Sequence, residues 1–131
     1  MIDVYKKLIG IFILFSILSC STKQNLLPAE DALDAVREFK DAYQNGNYEK
    51  AKFYCVNDEA NSLKLDSIFK KYQSLSNPQK AQLKSASIII LKNEIVNEQT
   101  SHIIISNKNI AANDTFNVVK KKNVWLIKLS N

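Results

Sequence analysis

The chain has 131 residues, 46% of them hydrophobic and 24% charged, with a formal net charge of +5. That length suits one domain with one core, and a single histidine, His102, excludes the usual zinc constellations. The basic excess is nearly all lysine, with Arg37 the sole arginine. Planar contacts to phosphates and bases favour arginine, and abundant Lys, Asn and Ile reflect A/T-rich codons, so no nucleic-acid partner is expected.

The chain opens MIDVYKKLIGIFILFSILSC. Lys6 and Lys7 precede an apolar run from Leu8 to Leu18, broken only by Gly10 and Ser16. As a helix this run would reach about 16 Å, against a bilayer core of about 30 Å. It has the charged n-region and short apolar h-region of a secretory signal. Its ending, Ile17-Leu18-Ser19-Cys20, resembles a bacterial lipobox, with an aliphatic residue at −3 and a small one at −1 before a cysteine. Leu18 is bulkier than the usual residue at −2. The resemblance implies that the Cys20 thiol takes a diacylglycerol and that cleavage then makes Cys20 the acylated first residue. A signal cut slightly further on, or an uncleaved anchor, are the other readings. The expected organisation is a signal peptide over 1–19, a lipidated cysteine and tether over 20–28, and one domain over 29–131. The expected location is the cell envelope, anchored by lipid, with the outer membrane favoured and the leaflet open. Cys55 then has no cysteine to pair with and reads as a buried small hydrophobe.

Pro28 is expected to open the first helix, followed by Glu30 and Asp31 where the helix dipole favours acids. Ala29, Ala32, Val36, Phe39 and Tyr43 recur at spacings of three and four and make one apolar stripe. Arg37 and Asp41 can pair on the wet face. Gly46, the only glycine after the signal, reads as the left-handed residue past the helix end, and Asn47 as the cap of the next helix. Tyr48, Ala51, Tyr54 and Cys55 form the inner face of that helix. A third follows with Leu65, Ile68, Phe69 and Tyr72 on one side, and Asn77-Pro78 is expected to end the helical region.

After Leu83 the apolar period changes from 3.6 to 2. Strands are predicted over Ser87–Val96, Thr100–Ser106, Thr115–Lys121 and Val124–Leu129, joined by short polar links of the hairpin kind. Lys120-Lys121-Lys122 falls at the last hairpin turn. Trp125, Ile127 and Leu129 share one face of the last strand, with Trp125 read as core. Helices first and an antiparallel meander afterwards is an α+β order, with N-terminal helices packed on a four-stranded antiparallel sheet.

The stretch AEDALDAVREFKDAYQNGNYEKAKFYC resembles the opening of a group of small bacterial lipoproteins of unknown function. The residues that carry the likeness are Phe39, Asn45-Gly46-Asn47, Tyr48, Ala51 and Tyr54, with Trp125 and Ile127 in the closing strand. It implies a cystatin-like, or nuclear transport factor 2-like, cone in which helices pack into a strongly curved sheet. Enzymes of that fold place acids, bases or a histidine inside the cone. Here His102 reads as a strand-end histidine meeting solvent, with no carboxylate partner in its strand pattern. One glycine after the signal rules out a glycine-rich phosphate loop, and no Asp/Asn pattern fits a calcium loop. Asn113-Asp114-Thr115 matches a glycosylation sequon by chance.

These readings lead to an expectation of a lipid-anchored binding or protein-interaction module in the cell envelope, not an enzyme, without cofactor or metal. The alternative is a small pocket enzyme of the isomerase or dehydratase kind, which two or more titratable groups converging inside the cone would favour. If the cone holds a pocket, Phe39, Tyr43, Tyr54 and Trp125 are its expected lining. The expected partners are the membrane through acylated Cys20, then an envelope protein or a small apolar ligand, with a homodimer through the open sheet face as a further option.

Overall fold

The computed structural model describes residues 24–107 and 110–130, so Cys20 and the signal segment lie outside the described residues. The expected α+β arrangement is the one the chain adopts. Among the described residues four helices precede a four-stranded antiparallel sheet in the order β1-β2-β3-β4.

The first helix, α1, spans Ala32–Gln44 and starts after Pro28, which stands exposed in the extended lead-in. Asp31 is its N-cap. The Asp31 carboxylate accepts the Asp34 N–H at 2.8 Å, and Asp34 accepts the Glu30 N–H at 3.0 Å. The acids at the helix start thus cap its first turn as well as meeting the helix dipole. The apolar stripe is as expected, with Ala32, Val36 and Phe39 buried and Tyr43 half-buried. On the wet face Arg37 makes no ion pair among the described residues. Asp41 instead meets Lys50 of the next helix at 2.6 Å, and Glu38 meets the same lysine at 2.7 Å.

Gly46 has φ +67° and follows the C-cap Asn45, and the Asn47 side chain accepts the Lys50 N–H to cap α2, Tyr48–Phe53. A Cβ at Gly46 would stand 2.5 Å from Cε1 of Tyr72. Gly46→Ala is thus disfavoured by both its backbone and its neighbour, and we expect a loss of about 2 kcal/mol in urea unfolding.

Cys55 lies just beyond α2, not on it. The Ile127 N–H donates to the Tyr54 carbonyl at 2.8 Å and the Val56 N–H to the Ile127 carbonyl at 2.9 Å. Cys55 so forms an isolated parallel bridge with Ile127. Residues 54–56 cover the free edge of β4, which would otherwise be open to another strand. Burial pushes the Cys55 thiol up to about 12, well above an ordinary cysteine. A raised acid binds its proton more tightly in the folded state, so the stability it gives is intact below the unfolded value of about 8.5 and is lost as pH climbs towards 12. At pH 10 that loss is about 2 kcal/mol. Urea midpoints at pH 7 and pH 10 should show it, and Cys55→Ala should remove most of it, the remainder coming from Tyr43, Tyr48 and Tyr54, whose hydroxyls are also raised.

Asp58 caps α3, Glu59–Gln73, whose inner side carries Asn61, Leu65 and Phe69. Phe69 meets Tyr43 and Tyr48 edge-on at 5.9 and 5.3 Å between ring centres, and Tyr72 meets Tyr43 at 5.6 Å. This aromatic cluster joins α1, α2 and α3. Asn77-Pro78 begins a helix instead of ending the helical region. In α4, Asn77–Ser85, Pro78 sits in the first turn, where its missing N–H costs nothing, and Ser76 and Gln79 form a reciprocal capping box. The Gln44 side chain, buried at the end of α1, donates to the Ala86 carbonyl and fixes the exit from α4.

The strands are β1, Ile88–Asn97; β2, Thr100–Asn107; β3, Ile110–Lys121; and β4, Val124–Lys128. Ser101, Ile103 and Ile105 of β2 form the inner row, opposite Val118, Phe116 and Asp114 of β3. Val118 in turn faces Ile127 of β4. Helix α1 packs against β2, β3 and β4 and closes the core over this row. Register shifts at Ile90/Lys92 and Ile95/Asn97 mark bulges in β1, which bend the strand and leave most of it exposed. Lys122 and Asn123 take positive φ in the last hairpin turn, between the strand ends expected at Lys121 and Val124. Trp125 is half-buried, not core, and the Lys120 ammonium lies 5.6 Å from its ring centre.

Candidate functional site

Between α1, α3, α4, the middle of β3 and the end of β4 lies a cleft of about 670 Å³. That volume is in the range of small-molecule sites. Phe39 and Phe116 meet edge-on at its floor, ring centres 5.8 Å apart. Ile68 and Leu75 from the α3 side, Leu83 from α4 and Leu129 after β4 supply apolar walls. Gln79 and Gln82 line the α4 side.

One charged pair reaches into this apolar space. Lys40 projects from α1 beside Phe39 and is almost fully buried, while Asp114 belongs to the inner row of β3. Their charges meet at 2.9 Å, with the lysine side chain 4% and the carboxylate 43% exposed. Tyr43 is next to both. The Lys40 ammonium lies 5.6 Å from its ring centre. Burial first, and the Asp114 carboxylate second, push the Tyr43 hydroxyl above its ordinary value. The tyrosine hydroxyl therefore stays protonated and can donate, while Lys40 and Asp114 neutralise each other.

The mouth has a different charge. Lys64 and Lys71 on α3 and Lys128 on β4 line the cleft and are exposed. Among the described residues no carboxylate stands within 4.0 Å of any of the three ammonium groups. The cleft thus joins an apolar, aromatic floor to a cationic rim.

The chain matches no protein-family model and no curated protein sequence. Among solved structures it is similar to an NTF-2-like protein of unknown function from Shewanella oneidensis MR-1. The identity is 13%, the alignment covers 72% of this chain and 89% of that one, and the TM-score is 0.47.

Of the four residues expected to line a pocket, Phe39 and Tyr43 stand together in the cleft. Tyr54 is buried behind α1, its hydroxyl donating to the Leu27 carbonyl at 2.8 Å. Trp125 borders a smaller cleft of about 420 Å³ at the other end of the inner face, beside Leu33, Ile95 and Ser101. His102 is half-buried on the opposite side of β2 from Ile103, where the register sets Glu94 of β1 beside it. The carboxylate absent from its own strand pattern is thus supplied by a neighbouring strand. Glu94 is engaged by Lys92 at 2.7 Å, and that bond chiefly holds its carboxyl below the usual range. His102 is no part of either cleft.

Lys40, Asp114 and the three rim lysines were not singled out by the sequence. A strand begun at Thr115 leaves Asp114 outside the sheet. Extending the alternation of Phe116 and Val118 back by one step would have put it on the inner row.

Proposed function

We propose that this protein is a lipid-anchored binding module of the cell envelope whose cleft takes a small amphipathic anion. The observation that carries the ligand class is the cationic rim of Lys64, Lys71 and Lys128 over the aromatic floor of Phe39 and Phe116. An apolar body would displace water from the floor, worth about 25 cal/mol per Å² covered. An acidic head would meet lysines that no carboxylate occupies within 4.0 Å among the described residues. The anchor is supported by the Lys6-Lys7 n-region, the short apolar run and the Ile17-Leu18-Ser19-Cys20 ending.

The pair inside the cleft favours the second reading, a small pocket enzyme of the isomerase or dehydratase kind, since Lys40, Asp114 and Tyr43 converge there. Binding is preferred because Lys40 and Asp114 satisfy each other, which leaves neither as a ready base.

Titration calorimetry separates charge from apolarity. Dodecanoate should bind and dodecylamine of equal chain length should not. Reversing Lys64 and Lys71 together to Glu should weaken dodecanoate by roughly tenfold, about 1.4 kcal/mol. Equal binding of both amphiphiles, or indifference to the reversal, would sink the ligand class. Native mass spectrometry of protein from its own host's envelope, with a denatured control, would reveal a resident occupant, and the acyl mass on Cys20 reads the anchor separately.

A further inference from the structure

Residues 24–29, which lead into α1, are not a free leash. Gln24 is held at its side chain by Asn47, whose amide donates to it at 2.9 Å. Three residues on, the Leu27 carbonyl accepts the Tyr54 hydroxyl at 2.8 Å, and Ala29 is buried in the core cluster. Residues 24–29 are therefore docked along α2 at both ends and belong to the domain. Only four residue steps separate Gln24 from Cys20. Fully extended they reach about 14 Å, less than half the diameter of about 34 Å that a domain of this size has. A domain tied so closely cannot roll over to present its far side to a bilayer.

The surface around the docked segment has the composition that an interface needs. Leu27 is 76% exposed and Phe53, the last residue of α2, is 41% exposed. Beneath them lies the buried Tyr54, whose ring meets Phe53 at 5.0 Å between centres while its hydroxyl holds Leu27. Lys52 beside them is exposed. Apolar and aromatic tips flanked by lysine suit the boundary between headgroups and acyl chains.

We propose that the face formed by the docked segment and α2 seats directly on the lipid surface, with Leu27 and Phe53 dipping into the headgroup boundary. This rests on the lipidation of Cys20. No residue of the docked segment or of α2 lines the larger cleft. Seating this face on the bilayer therefore leaves the cleft mouth unobstructed for an occupant arriving from the aqueous side.

The test uses full-length protein matured in its own host. It is reconstituted in vesicles of phosphatidylethanolamine and phosphatidylglycerol with brominated acyl chains, which quench nearby tryptophan. Leu27→Trp and Phe53→Trp report the proposed face, and Leu91→Trp, on the exposed edge strand β1, serves as control. Leu27→Trp disturbs no packing and covers the case in which Phe53→Trp fails to fold. With the Trp125 signal of the parent subtracted, the tryptophans introduced at 27 and 53 should lose at least about half their emission and the one at 91 little. The same sample is weighed for the acyl group on Cys20. Acyl mass present with quenching at 27 and 53 no greater than at 91 would overturn the seating and leave the anchor standing. Absence of acyl mass on Cys20 would overturn both.

Discussion

Asn61→Leu should destabilise the protein by about 3 kcal/mol, although leucine fills nearly the same volume. Asn61 is 1% exposed on the inner side of α3. Its Oδ1 accepts the Leu129 N–H at 2.6 Å and the Ser130 N–H at 3.2 Å, just past the end of β4. Its Nδ2 donates to Asp58 Oδ1 at 2.6 Å, the same oxygen that caps α3. The Asp58 carboxyl is held below its usual range first by the Asn61 backbone N–H and then by this side chain. One residue thus ties the start of α3 to the last turn of chain after β4. Leucine would leave the Leu129 N–H without a partner, at about 1–3 kcal/mol, and lose a second bond worth about 1 kcal/mol. Urea unfolding measures the sum. A loss below about 1 kcal/mol would mean that water replaces the amide, and that this junction is wetter than its burial indicates. Because Leu129 and Lys128 also line the cleft, the variant should weaken dodecanoate binding even where it remains folded.

The two prolines after the signal illustrate what local pattern can and cannot tell. Both were assigned by the general habits of proline, and both assignments fail at the helix boundary. Pro28 precedes a capping acid, Asp31, by three positions, and the helix waits for that cap. Pro78 follows Ser76, and Ser76 with Gln79 is the reciprocal cap of a helix start. In each case the side chain able to satisfy free N–H groups sets the boundary, and proline merely tolerates it. Where cap and pattern agree, as at Gly46-Asn47 and at the change of period after Leu83, the order of elements was legible from sequence.

The site was less legible because its charged members depend on partners far away in the chain. Phe39 and Tyr43 could be read from the α1 stripe, since three- and four-residue spacings are a local property. Lys40 adjoins that stripe and looks like a solvent lysine until β3 returns 74 positions later with Asp114. Cys55 was expected on a helix because Tyr48, Ala51 and Tyr54 continue at helical spacing up to it. Its bridge to Ile127 is decided by the unpaired edge of β4, which no local window around Cys55 contains. Trp125 alternates correctly with Ile127, yet it borders the smaller cleft beside Leu33, which leaves the indole half-covered.

The Lys40–Asp114 pair should respond unequally to the loss of its two members. Asp114→Ala leaves a nearly fully buried ammonium without a counter-charge, whereas Lys40→Met leaves a carboxylate that is 43% exposed and can hydrate from the cleft. Stranding one charge of a fully buried pair costs about 3–5 kcal/mol, and access to water on the Asp114 side reduces this to about 2–3 kcal/mol for Asp114→Ala. Lys40→Met replaces an ammonium stem by an apolar one of similar length between Phe39 and Tyr43, and its cost should stay within about 1 kcal/mol. The double variant Lys40→Met with Asp114→Ala should then be more stable than Asp114→Ala alone, a sign that a double-mutant cycle in urea reads directly. The functional outcome runs the other way. Asp114→Ala unmasks the floor lysine and should tighten dodecanoate, while Lys40→Met exposes a lone carboxylate and should weaken it. Equal stability losses for the two single variants would place the pair outside the low-dielectric floor, and an unchanged affinity in both would move the acidic head of the ligand away from it.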